Sequence, residues 1–164
     1  MYTDTNLIGE RGECLVTAIL MTDEVFFAKI LGGKVPSFDV YAEVNCDNTP
    51  FPLLIQVKTT TKNDRYNSAS IKTPVPDKTV QELSAKPIPT YVAGFDMVDN
   101  VLYVAPVFNG TEHYPSIPIN HKIELNNTAN AVKELNLLKD DVVNFFQNKK
   151  QDIQNYKQTY KSQL

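Results

Sequence analysis

The sequence predicts an α/β domain, α+β in arrangement, with a central mixed β-sheet flanked by helices. Three observations predict it. Short apolar runs at Val25–Leu31, Phe38–Val44 and Leu53–Thr59 are separated by turn residues, Gly32-Gly33 and Asp47-Asn48-Thr49-Pro50. A later pair of runs, Pro89–Asp96 and Val101–Val107, is joined across Val98-Asp99-Asn100 as a hairpin. Helix-periodic segments lie at both ends of the chain.

Taken in order, Leu7–Met21 reads as a helix with a broad apolar face of Leu7, Ile8, Cys14, Leu15, Ala18, Ile19 and Met21, capped by Asn6. Gly9 and Gly12 each cost a helix about 1 kcal/mol relative to alanine, so the expectation is that they let it approach something closely. The three strands follow. Residues 60–70 are polar and read as an exposed loop. Asp77–Ala85 can form a short helix that ends ahead of Pro87, because the residue before a proline avoids helical conformation. Tyr91, Ala93 and Phe95 share one face of the hairpin. From Asn127 onward, Leu135, Leu138, Val142, Phe145 and Phe146 recur at helical spacing, with Ile153, Tyr156 and Tyr160 as a thinner continuation. The chain is thus expected to divide into a domain over 1–126 and a carboxy-terminal helix over 127–164 that packs on it or mediates association.

With 164 residues, 42% of them apolar, the chain can close one core. No apolar stretch approaches the roughly 20 residues of a membrane span, and the amino terminus lacks a signal-peptide layout. The expectation is a cytoplasmic protein without a membrane partner. Cys14 and Cys46 are too few for a disulfide framework and read as reduced, buried thiols. The net charge of -3 does not advertise a nucleic-acid binder, but its distribution is uneven. Residues 1–24 set Asp4, Glu10, Glu13, Asp23 and Glu24 against Arg11, and residues 56–78 set Lys58, Lys62, Arg65, Lys72 and Lys78 against Asp64 and Asp77. An acidic first helix facing a basic stretch suits a metal site bordered by a phosphate track, as it also suits an ordinary mixed surface.

Strand alternation carries the chemistry. In the run from Leu53 to Lys58, Gln56 and Lys58 point one way, and Ile55 and Val57 the other. In the preceding run Phe38, Val40, Ala42 and Val44 share a face, leaving Asp39, Tyr41 and Glu43 opposite. If the two strands are neighbours, Asp39 sits beside Gln56 and Lys58. A carboxylate, an amide oxygen and an ammonium converging there would share a hydrated magnesium ion and a phosphate.

This order of elements resembles the PD-(D/E)XK superfamily of restriction enzymes and junction resolvases. Its pattern is a helix with an acid, an Asp-bearing strand, and an acid-x-Lys strand. Gly9-Glu10-Arg11-Gly12-Glu13 matches the helix, with Glu13 as the acid and Glu10 as its alternative; Asp39 and Gln56-Val57-Lys58 match the strands. Ile71–Val107 resembles the remaining sheet of an uncharacterised bacterial family of this fold. Two departures stand out: Phe38 and Ser37 replace the usual proline and glycine before the aspartate, and Gln56 replaces the second acid, as in the similar Mrr-type restriction enzymes.

The resemblance implies a restriction-endonuclease-like fold and a magnesium- or manganese-dependent endonuclease acting on DNA, in restriction or defence. Glu13, Asp39, Gln56 and Lys58 would be catalytic, and Asp39, Gln56 and the Val57 carbonyl would hold the metal. Lys62, Arg65, Lys72 and Lys78 would line the DNA, and a homodimer through the carboxy-terminal helix would suit cleavage of both strands. The alternative is a noncatalytic nucleic-acid or protein interaction module on the same fold. Each residue also has a plainer reading: Asp39 as a strand-end cap or turn chemistry, Lys58 as an edge-strand charge, Glu10 and Glu13 as dipole-favoured acids of the first helical turns. His113 and His121 fall in a proline-rich loop without metal-ligand spacing, so zinc is not expected. Gly32-Gly33-Lys34 lacks the Ser or Thr of a phosphate-binding loop.

Overall fold

The computed structural model describes residues 4–31, 37–61, 65–67, 70–71, 74–107, 114, 117–118 and 121–161. Helix α1 (Asp4–Leu20) leads through a single 3-10 turn (Thr22–Glu24) into β1 (Phe27–Ile30), β2 (Val40–Cys46) and β3 (Thr49–Thr60). Two short strands, β4 (Arg65–Asn67) and β5 (Ser70–Ile71), precede helix α2 (Asp77–Ser84). The hairpin β6 (Thr90–Asp96) and β7 (Val101–Val107), then β8 (Ile117–Pro118), β9 (His121–Glu124) and the long helix α3 (Thr128–Lys161), complete the order.

Six strands form one mixed sheet in the order β1-β2-β3-β6-β7-β9. Neighbours are antiparallel except β3 and β6, which run parallel with Gln56 opposite Val92 and Lys58 opposite Gly94. A parallel pair needs a crossover, and the segment holding β4, β5 and α2 supplies it. The α+β class with a helix-flanked mixed sheet is therefore as the sequence predicts. β6 is buried along its whole length because both sheet faces are covered. On one face α1 (Val16, Ile19, Leu20) and α3 (Leu135, Leu138, Val142) pack on Val40, Ile55, Val57 and Phe95. On the other, Val80 and Leu83 of α2 pack on Val92 and Tyr103, with Phe38 against them.

Several local expectations are corrected. α1 begins at Asp4, so Asn6 lies inside it and does not cap it. Its buried stripe is Gly12, Val16, Ile19 and Leu20, whereas Leu7, Cys14, Ala18 and Met21 are exposed. Neither cysteine is a buried thiol: Cys14 is exposed and Cys46 half-buried. The polar stretch after Thr60 contains β4 and β5, which with β8 make a second, three-stranded sheet. His121 opens β9 and is not in a loop; its Nε2 stands 3.0 Å from the Asp141 carboxylate of α3 and its Nδ1 3.5 Å from Glu134. His113 and Gly32-Gly33-Lys34 lie outside the described residues.

α3 begins where Asn127 accepts the Asn130 N–H at 3.1 Å, an N-cap that satisfies one of the orphan donors of the first turn. Its first half is core. Phe146 stacks on Phe51 at 5.1 Å, and Lys149 donates to the Pro87 carbonyl at 2.6 Å. Beyond Lys149 every described side chain is exposed. Among the described residues no helix is long and apolar enough to cross a membrane.

Candidate functional site

β2 and β3 pair from Cys46 opposite Thr49 as far as Val40 opposite Ile55. One residue further, Asp39 still belongs to the ladder through its backbone: its N–H donates to the Ile55 carbonyl and its carbonyl accepts the Leu31 N–H, both at 3.0 Å. There the two strands part, and the Asp39 side chain takes over the pairing. Its Oδ2 accepts the Val57 N–H at 2.8 Å. A backbone donor that would otherwise be orphaned in a half-dry cleft is thereby satisfied. This bond caps the end of the β2–β3 ladder, the structural use that the plainer reading of Asp39 names. Ser37, two residues earlier, turns the chain with φ of 79°, a left-handed conformation that glycine adopts without strain.

Gln56 is buried, 7% exposed, and its terminal amide is fixed by two acceptors. Nε2 donates to Asp39 Oδ2 and to the Val57 carbonyl, the latter at 3.2 Å. The amide nitrogen thus stands between the two oxygens expected to hold a cation, where the sequence reading places the amide oxygen. Lys58, half-buried and on the same face of β3 as Gln56, brings its ammonium close enough to lower the Asp39 pKa. The β2 ladder has ended at Ile55, so Lys58 pairs with Gly94 of β6 alone and the other side of β3 is open beside it.

α1 supplies the fourth group. Gly12 faces Thr59 of β3 so closely that a β-carbon there would fall 1.8 Å from the Thr59 hydroxyl oxygen. Of the two helix glycines expected to permit close approach, only this one does so, for a β-carbon on Gly9 would meet nothing within 4 Å. The contact seats the helix on β3 and leaves the next residue, Glu13, half-buried and close enough to feel the Asp39 charge, with Glu10 exposed three residues before. Of these two acids it is Glu13 whose carboxyl is raised by the Asp39 charge.

Burial raises the Glu13 pKa, and the charges of Asp39 and then Glu10 raise it further. Burial also raises Asp39, opposed by the Val57 N–H, the Lys58 ammonium and the Gln56 amide. In each case the folded pKa lies above the unfolded one. The associated stability is therefore full below the unfolded pKa and is lost as pH rises through the folded one. Glu13→Gln, which cannot ionise, is expected to melt at a higher temperature than the parent at pH 7, with the gain gone below the ordinary glutamate value of 4.5. Thermal unfolding of both proteins at pH 7 and pH 4 checks it; an equal gain at both values would mean that the charge is not what Glu13 costs.

Asp39, Gln56, Val57, Lys58 and Glu13 therefore gather where β2 leaves β3. No protein-family description matches this chain, and no curated protein or solved structure does. What the site can do rests on its own chemistry. Asp39 and the Val57 carbonyl offer oxygens, which hard cations such as magnesium prefer, whereas Gln56 presents its amide nitrogen between them. Among the described residues no group of three His, Cys, Asp or Glu side chains is arranged to hold a metal, so a cation here would lean on neutral carbonyl oxygens and on substrate. Of the expected DNA-lining residues, Lys62 and Lys72 and the side chain of Arg65 lie outside the described residues. Lys78 stands on the outer surface of α2, 3.9 Å from Glu82 one turn along.

Proposed function

We propose that this chain is a restriction-endonuclease-like, metal-dependent nuclease that hydrolyses DNA phosphodiester bonds at the cleft where β2 and β3 part. The observation that carries the reading is the meeting of Asp39, Gln56, Val57 and Lys58, with Glu13 near enough to feel the Asp39 charge, in the order that the PD-(D/E)XK resemblance implies. Two carboxylates raised by burial, with a lysine beside them, are also what a cation and a phosphate would relieve.

Asp39 Oδ2, the Val57 carbonyl and, after a half-turn of its amide, Gln56 Oε1 would hold magnesium or manganese. The amide's nitrogen and oxygen are close in size, so the half-turn exchanges a donor for an acceptor without repacking. The ion would supply Lewis acidity at the phosphate and orient both reactants. Glu13 orients the attacking water and takes its proton as the water oxygen bonds to phosphorus. The bond from phosphorus to the departing sugar oxygen breaks, and that oxygen takes a proton from solvent. Lys58 balances the charge that builds on the five-coordinate phosphate.

A second reading, a noncatalytic nucleic-acid or protein interaction module on the same fold, draws on the Gln56 nitrogen that fills the cation position. One experiment separates them. Parent protein and Gln56→Glu are incubated with supercoiled, linear and branched DNA in magnesium, manganese or chelator. Cleavage that needs the metal is expected in the parent. It should be retained or increased in Gln56→Glu, which removes the amide donor and restores the commoner acid-x-Lys form. Intact DNA with both proteins in every metal would leave the noncatalytic reading standing.

A further inference from the structure

β1 is an outermost strand of the six-stranded sheet, and among the described residues nothing pairs with its outer side. The ladder shows which backbone groups face that side. β1 and β2 are antiparallel, with Ala28 opposite Ala42 and Ile30 opposite Val40, and the register continues to Leu31, whose N–H donates to the Asp39 carbonyl at 3.0 Å. Hydrogen-bonded pairs alternate with unbonded ones in such a ladder. Leu31, Lys29 and Phe27 therefore direct their backbone groups at β2, and those of Ala28 and Ile30 point outward. Phe26 also points outward, but its N–H donates to the Leu20 carbonyl at 3.2 Å, so it offers a partner only its own carbonyl.

Side chains alternate along the same strand. Phe26 and Ala28 are buried in the core that α1 and α3 cover, and Phe27 and Lys29 project exposed from the other face. Phe27 is 61% exposed, more than any other large apolar side chain among the described residues. A lysine on a short edge strand discourages pairing with another sheet where it meets a like charge. Lys29 thus limits which strand can add to this edge, and in which register.

We propose that β1 pairs with β1 of a second copy of this chain, antiparallel about a two-fold axis at Ala28, joining the two sheets into one. The outward groups and Lys29 select this register. With Ala28 opposite its own counterpart, each Ala28 N–H meets the other's carbonyl. Each Ile30 N–H meets the Phe26 carbonyl of the other copy, where no outward N–H competes. Phe27 lies directly opposite Lys29 of the other copy, in an unbonded pair, the kind in which side chains stand closest. The lysine stem covers the exposed ring and its ammonium comes within cation–π reach. Shifting the strands one way sets Lys29 against Lys29, two like charges in such a pair. Shifting them the other way sets Ala28 against Phe26, whose N–H is engaged, and leaves Ile30 without a partner. The strand therefore carries its own complement: an open carbonyl to face Ile30, and a long cationic side chain to face Phe27. The axis is normal to the joined sheet, so the helices of both copies stay on the faces they already cover, and every contact occurs twice. This proposal does not depend on the reading of the Asp39 cleft.

Charge exchange and cysteine cross-linking test it. Sedimentation equilibrium should give the parent protein the mass of two chains. Phe27→Lys, at an exposed position, sets two lysines opposite each other at both ends of the pair and should weaken self-association at least tenfold, with circular dichroism unchanged. Adding Lys29→Glu to Phe27→Lys sets opposite charges there and should return the mass to that of a dimer. The register is read separately, in a background of Cys14→Ser and Cys46→Ser. Phe27→Cys and Lys29→Cys, mixed, should cross-link on oxidation, because unbonded partners have Cα atoms about 4.5 Å apart, within the range of a disulfide. Neither variant alone should do so, since each residue then lies about 8 Å from its own counterpart by strand rise and spacing. A parent that is monomeric at every concentration, a Phe27→Lys variant that stays dimeric, a double variant that stays monomeric, or single cysteine variants that cross-link as readily as the mixture would each overturn the proposal.

Discussion

Lys58→Met is expected to lower metal-dependent DNA cleavage by about a hundredfold or more, the scale of losing one electrostatic or acid-base contributor at a phosphoryl centre. Methionine keeps the length and apolar stem of the side chain, so the half-buried stem still covers the end of β3. Stability at pH 7 should fall modestly, because the ammonium that offsets the Asp39 charge is lost, far less than the loss of cleavage. A strand lysine can also repel another sheet edge, and beyond Ile55 the β2 side of β3 is open; that role predicts self-association of Lys58→Met with no loss of cleavage. Asp39→Asn should reduce cleavage to a similar degree for a different reason. Its amide oxygen can still accept the Val57 N–H, but the charge that attracts a cation is gone, and excess magnesium should restore part of the rate. Parent-level cleavage in both variants would place the chemistry elsewhere.

The residues of this cleft were legible to different degrees, and the differences have physical causes. Alternation along Leu53–Lys58 is a local property, and it places Gln56 and Lys58 on one face as the structure has them. Adjacency of β2 and β3 follows from short connections and holds. The bond from Val57 N–H to Asp39 spans 18 residues and depends on where two strands separate, which no local pattern records. The orientation of the Gln56 amide was equally hidden, since it is set by two acceptors that exist only once the sheet has formed. The left-handed Ser37 is the reverse case. A glycine there would have announced the turn, and the conformation is kept without it.

The fold shows the same division. The turn signals marked β1 to β3 and the β6–β7 hairpin, since Gly, Pro, Asn and Asp act within a few residues. β9 was missed because its four residues, His121–Glu124, include three polar ones and only Ile123 is buried. It is a strand because β7 offers it an edge and His121 ties it to Glu134 and Asp141 of α3. In α1, apolar residues on both sides gave a face too broad to choose from. Contact of Gly12 with Thr59 of β3 selects the stripe.

Gly12→Ala should therefore separate function from stability. A β-carbon there would lie 1.8 Å from the Thr59 Oγ1, 2.9 Å from its Cβ and 3.0 Å from its Cγ2. Turning the Thr59 side chain can relieve the first of these but not the second, so α1 must lift or tilt away from β3. Overpacking of this kind costs about 1–3 kcal/mol, whereas alanine favours the helix over glycine by about 1 kcal/mol. The net loss of stability should then be at most about 2 kcal/mol, a few degrees of melting temperature for a chain of this size. Cleavage should suffer more, because a displacement of about 1 Å at a positioned group can cost on the order of a hundredfold, and Glu13 moves with the helix. Gly9→Ala is the control. With nothing within 4 Å of the added carbon, it should stabilise the protein by about 1 kcal/mol and leave cleavage unchanged. Thr59→Gly in the Gly12→Ala background removes the atoms in conflict and should recover cleavage, although glycine weakens the strand by roughly 0.5–1 kcal/mol. Melting curves and cleavage rates for Gly12→Ala, Thr59→Gly and the double variant give the coupling between Gly12 and Thr59 directly. If Gly12→Ala behaves as Gly9→Ala does, then α1 does not hold Glu13 in place by its contact with Thr59.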